Sequence, residues 1–185
     1  MSEEAPAWAY ELAEIRPHDP RWTARAEAER AKLTVLLGPW LVEGIEHIGS
    51  TAVPGLAAKP IVDLMASVTD LDTVVTAASE RLADDGWSFV PPVLDGRPWR
   101  RFYVKPDSTQ QRREAHLHLI QAQHPRWTDQ IRFRDALIGD VGLARQYEDL
   151  KRGLSHASGH DREAYTEGKA AFVANVLGKP STAAD

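Results

Sequence analysis

An α/β fold, with a mixed β-sheet flanked by helices and a C-terminal helical segment, is predicted by three features of the sequence. Five short stretches have strand character, yet only one strand–helix–strand unit is evident, which argues against a doubly wound parallel sheet. A helical pattern precedes the first strand. From His124 onward only helical patterns remain.

The elements follow in order. Asp19 and Pro20 read as a helix N-cap and first residue, with Gly38 as the stop. Between them Trp22, Ala26, Leu33 and Leu36 or Leu37 recur at helical spacing. Residues 42–48 form a short strand that ends at Gly49-Ser50, and Val53-Pro54-Gly55 places a turn in the loop that follows. The apolar run 61–68, broken by Asp63, reads as a strand covered on both faces. Thr69 or Asp70 caps a helix carrying Leu71, Val74, Val75, Ala78 and Leu82, closed at Gly86. Residues 87–90, 99–104 and 115–121 are three further strands, the last two joined by the polar hairpin 105–114. Helices are expected over 127–138, 141–154 and 162–177. The organisation is an N-terminal segment 1–18, one domain over 19–178 that is helical from about 125, and a polar flexible tail 179–185.

Composition narrows the function classes. Hydrophobic residues at 43% and charged residues at 26% support an ordinary folded core. There are no cysteines, so disulfides, iron–sulfur clusters and thiolate zinc sites are excluded. A net charge of −5 disfavours general nucleic-acid binding. No apolar run is long enough for a membrane span, and the acidic start lacks the apolar stretch of a signal peptide, so a cytoplasmic location is expected.

The stretch from His47 to Met65 carries the most chemistry. Gly49 lets backbone approach a ligand, while Ser50 and Thr51 add hydroxyls and amides suited to a phosphate nest. Asp63 could hold a divalent cation with phosphate oxygens completing its shell. A tight turn followed by a capping aspartate is the plainer alternative. His116 and His118, two apart on a strand, project from one face. With Asp63 they make a two-histidine, one-carboxylate set suited to zinc, manganese or iron better than magnesium, or else a hydrogen-bonded cluster without metal. His47 could act as a general acid or base, or bond structurally at a strand end.

Arg97, Arg100, Arg101, Lys105, Arg112 and Arg113 form a basic run containing one acid, Asp107. Alternation puts Arg101, Tyr103 and Lys105 on one face, opposite Arg100, Phe102 and Val104. Such a run either clamps phosphate or carboxylate groups or is a solvated hairpin. Tyr147 with Lys151, and Tyr165 with Lys169, are spaced i, i+4, placing each pair on one helical face for ligand closure or for packing.

The run His-Ile-Gly-Ser-Thr-Ala-Val-Pro-Gly-Leu, continuing through Lys59-Pro60-Ile61 to Asp63, resembles the GrpB family signature. Asp19-Pro20-Arg21-Trp22, Arg101-Phe102 with Lys105, His116-Leu117-His118, Tyr147 with Leu150-Lys151, and Arg162 with Tyr165, Gly168 and Lys169 resemble it as well. The resemblance implies a nucleotidyltransferase-like fold and a family that also occurs fused to dephospho-CoA kinase. It singles out Lys59, Arg101 and Lys105 as ligand contacts. The expected ligand is an anionic small molecule, a nucleotide or CoA-like compound, with Gly49, Ser50, Thr51, Tyr147, Lys151, Tyr165 and Lys169 around it. Asp63, His47, His116 and His118 are the catalytic candidates, with a magnesium, manganese or zinc ion as possible cofactor. Active nucleotidyltransferases carry a second acid two positions on, where this chain has Met65. A transferase is therefore one expectation. A binding domain without catalysis, or a single-metal His/Asp enzyme of another class, is the alternative.

Overall fold

The structure is a computed structural model that describes residues 5–12, 14–158 and 162–179, with the side chains of 156–158 and 162–165 outside the description. The elements are α1 (Arg21–Leu37), β1 (Leu41–Ile48), β2 (Val62–Val68), α2 (Leu71–Asp84), β3 (Ser88–Val90), α3 (Pro92–Asp95), β4 (Arg100–Pro106), β5 (Arg113–Gln121), α4 (Pro125–Gly139), α5 (Val141–Ser158) and α6 (Arg162–Leu177). The strands form one five-stranded sheet in the order β1-β2-β5-β4-β3. β2 and β5 run parallel, and the other pairings are antiparallel. The expected mixed sheet is present.

Local chemistry explains the helix starts. The Asp19 carboxylate accepts the Arg21 N–H at 2.9 Å, so the expected cap acts one residue before the helix proper. Asp70 accepts the Thr73 N–H at 2.8 Å, capping one of the free N–H groups of the first turn of α2. The single turn α3 falls between the expected strands 87–90 and 99–104, where no element was expected, and it places Asp95.

Strand pairing sorts side chains onto two faces. His47, Leu64, Leu117 and Tyr103 stand in register on one face, which α1 and α2 cover with Leu33, Leu37, Val74 and Leu82. Ile48, Asp63, His116 and Val104 stand in register on the other. There Met65 and Ile120 pack against Trp127 of α4. A separate cluster joins Val53 and Leu56 of the loop after β1 to Phe133, Leu137 and Tyr147, so the C-terminal helices hold that loop from outside.

The segment before α1 also packs on the domain. Arg16 and Ala58 exchange backbone hydrogen bonds, and Glu11 accepts from the Arg113 backbone N–H and Nε at 2.8 and 3.0 Å. Lys179 donates to Asp129 at 2.6 Å, and the rest of the expected tail lies outside the described residues. No helix among the described residues is long and apolar enough to cross a membrane.

Candidate functional site

The second face of the sheet opens into a cleft of about 1050 Å³, walled by β2, β4 and β5, the loop after β1, residues 5–12 and 14, and the inner sides of α5 and α6. Asp63 stands on its floor, opposite His116 in the parallel β2–β5 register, with His118 one same-face position along. His116 Nδ1 lies 2.9 Å and His118 Nε2 3.3 Å from the same oxygen, Asp63 Oδ1. Burial pushes the Asp63 carboxyl up, but the two imidazole hydrogen bonds prevail and hold it well below the usual carboxylate range.

Gly49 fits tightly here. It has φ 72° and ψ −172°, a region open to glycine and essentially closed to other residues. A Cβ would stand 2.7 Å from Asp63 Oδ2. Ser50 and Thr51 line the cleft, though the Thr51 hydroxyl lies 3.0 Å from His47 Nε2 and reaches the Ile61 carbonyl at 3.4 Å.

The structure separates several residues that the sequence placed together. His47 shares a face with Leu64, on the α1 side of the sheet, and does not reach the cleft. Burial draws its imidazole below the ordinary value, partly offset by the Asp63 charge. Arg101 is paired in register with Leu119 on that same far face and bonds Asp72 of α2 at 2.7 and 3.0 Å. Lys105 is there too, between Glu29 and Asp85 at 2.8 Å each. Of the two β4 arginines, the one that enters the cleft is Arg100. Alternation along β4 had the faces right, but which one looked inward depended on the register with β5.

Arg100 is 9% exposed. Its Nε and Nη2 donate to Asp95 at 2.8 and 2.5 Å, its Nη1 lies 2.5 Å from His118 Nδ1, and the Phe102 ring lies 4.1 Å below. Burial and this neighbouring cation pull His118 down to about 4, against the pull of Asp63. Sequence reasoning missed Asp95 and Glu11. The run of arginines opposite unassigned acids was the available signal.

From the helices, Lys151 and Lys169 line the cleft. Tyr147 does not; it packs against Phe133 and Phe172 in the helical core, with Lys151 Nζ 5.1 Å over its ring. Tyr165 lies on α6, but its side chain is outside the described residues. Gly168 permits the approach of α5, since a Cβ there would meet Leu154. Lys59 also lines the cleft. The lining carries six basic side chains, Lys59, Arg97, Arg100, Arg113, Lys151 and Lys169, against four acidic ones, Glu11, Glu14, Asp63 and Asp95. That reverses the sign of the whole chain, which is −5.

Burial lowers Lys169 to about 8, with Asp63 opposing, and Lys151 to about 7, with Glu148 opposing. Lys151 Nζ donates to the Ala57 carbonyl at 2.5 Å. Between about pH 7 and the ordinary 10.5 the unfolded chain binds a proton at Lys151 that the folded chain does not, so stability rises with pH across that window. Lys151→Met is expected to reduce this rise. Urea midpoints near pH 7 and near pH 10.5 in both proteins check it; equal slopes would show that Lys151 is charged when folded.

Asp63, His116 and His118 offer donor atoms within 4.8 Å of one another, a spacing at which one divalent cation could be held. The two-cation arrangement of the fold does not fit, because the second acid position is Met65, fully buried against Ile48, Ile120 and Trp127. The outer hydrogen bonds of a single-cation site are missing as well. Ligating histidines donate their second N–H to an acceptor. His118 meets Arg100 there, and the buried His116 Nε2 has no hydrogen-bond partner among the described residues.

The profile of the GrpB family, described as "GrpB protein", matches residues 13–179. The glutamate-rich protein GrpB of Alkalihalophilus pseudofirmus is 31% identical over 162 residues, 86% of this chain and 91% of that protein. A UPF0157 protein of Deinococcus radiodurans is 37% identical over 164 residues, 88% of this chain and 79% of that one. The crystal structure of the conserved protein GrpB from Enterococcus faecalis superposes with a TM-score of 0.75 at 27% identity, covering 88% of this chain and 94% of that chain. A chain of the GLD-2/RNP-8 complex superposes at a TM-score of 0.53 and 11% identity, covering 82% of this chain and 50% of that chain. The fold is nucleotidyltransferase-like.

Proposed function

The chain belongs to the GrpB family, and from that premise we propose that it binds an anionic small molecule of the nucleotide or CoA-like class in the cleft and acts on it as a transferase. One observation carries the reading: a basic cleft in an acidic chain surrounds a half-buried carboxylate that holds an imidazole. Lys59 and Lys169 supply positive charge where phosphoryl groups would sit. Asp63 orients His116 through Nδ1, leaving Nε2 as the lone pair to accept a proton from an acceptor hydroxyl once ligand entry uncovers it. As that oxygen bonds to phosphorus, the leaving oxygen departs with the electrons of the broken P–O bond and takes a proton from Lys169. No step is routed through a metal.

Calorimetric titration with ATP, UTP, CoA and dephospho-CoA tests the binding. Lys169→Met is expected to weaken the ligand that binds by roughly 10–100-fold, the loss of one charge-assisted hydrogen bond. Arg101→Met, on the far face, should leave affinity unchanged. Binding by none of the four, or equal loss in both variants, would refute the reading.

A second reading is a binding domain without catalysis. The buried Met65 favours it. Ligand that binds and is recovered unchanged with every class of acceptor hydroxyl would select it.

A further inference from the structure

We propose that Arg100 keeps the Asp63–His116–His118 cluster free of divalent metal by dictating which nitrogen of His118 carries the hydrogen. A guanidinium only donates. With Arg100 Nη1 at 2.5 Å, His118 Nδ1 must accept, so the ring hydrogen sits on Nε2 and is donated to Asp63 Oδ1. The same oxygen receives His116 Nδ1–H, so it is satisfied by two N–H donors.

A cation at this point needs the Nε2 lone pair of His118. The hydrogen would then move to Nδ1 and face the guanidinium, donor against donor. Arg100 has little freedom to give way. Its Nε and Nη2 hold Asp95, whose side chain is 4% exposed, and Phe102 closes the space beneath. Arg100 is thus a positioning residue, acting on the site through His118. This inference goes beyond the proposed function and holds whichever ligand binds.

Two measurements on the full chain test it: long-range ¹H–¹⁵N spectra of the histidine rings, and equilibrium dialysis against zinc, manganese and magnesium. The wild type should show His118 as the Nε2–H tautomer and take up no ion that His118→Ala abolishes. Arg100→Gln supplies a carbonyl that can accept Nδ1–H, so zinc affinity should rise about 10–100-fold, the usual worth of an outer-shell acceptor. Arg100→Lys still donates and should behave as wild type. If Arg100→Gln fails to fold because Asp95 loses its partner, the double variant Asp95→Asn/Arg100→Gln replaces that pair with two amides. Zinc or manganese uptake by the wild type that His118→Ala abolishes, an Nδ1–H tautomer, or no gain in the glutamine variants would each overturn the proposal.

Discussion

Asp63→Leu is expected to cost the fold up to about 2–6 kcal/mol, the sum for two part-buried N–H donors left without an acceptor at up to about 1–3 kcal/mol each. Leucine keeps the branched four-atom skeleton of aspartate but has no acceptor, so His116 Nδ1 and His118 Nε2, which both point at Oδ1, would lose their partner. Asp63→Asn keeps a carbonyl oxygen there and should cost much less. Acid should weaken the wild type in two steps. His118, lowered to about 4 from 6.5, is protonated first in the unfolded chain as pH falls through that window. Asp63, depressed by its two partners, then loses its contribution below the ordinary carboxylate value of 3.8. Urea denaturation of the three proteins at neutral pH, and of the wild type down an acid series, checks this. Equal costs for leucine and asparagine would show that the charge of Asp63, and not its capacity to accept, matters.

Gly49→Ala is the second large effect. Backbone confined to a glycine-only region costs another residue about 1–3 kcal/mol. The added methyl must also push against Asp63 Oδ2, 2.7 Å from its ideal position. Because that carboxylate is pinned by two imidazoles, the contact cannot be relieved without disturbing the site. Stability and ligand affinity should therefore fall together. By contrast Gly38→Ala has open space and an ordinary helical φ of −41°, and is expected to leave binding intact. A stable Gly49→Ala protein with unchanged affinity would show that the turn can shift away from Asp63.

How much of this was legible in the sequence depended on whether the determinant was local. The strands and long helices followed from apolar periodicity and caps such as Asp19 and Asp70. The cluster of Asp63, His116 and His118 followed from spacing within two strands and the family resemblance. Register was not local. A shift of one position exchanges Arg101 for Arg100 and inverts the reading of β4. The same applies to His47, whose neighbour Ile48 takes the inward face. Tyr147 and Lys151 do share a helical side, as i, i+4 spacing required, but only the lysine extends beyond the aromatic core. Residues 5–12 gave no sign of belonging to the cleft, because the Glu11–Arg113 pairing spans 102 positions.

The parallel seam between β2 and β5 has a kinetic consequence. Asp63 and His116 are 53 positions apart, so bringing them together costs roughly 3–4 kcal/mol of chain entropy before any contact repays it. Everything between them, α2 and the β3–β4 pairing included, can form from nearer contacts, while this seam depends on distant ones. During synthesis no fragment ending before Arg113 can display even half of the cluster, and the lysines of α5 and α6 arrive later still. The cleft is therefore expected to close only with the global, cooperative folding of the sheet. Amide exchange across the seam should be as slow as exchange anywhere in the chain, and a ligand spanning it would slow unfolding itself instead of suppressing only the fraying of an edge strand.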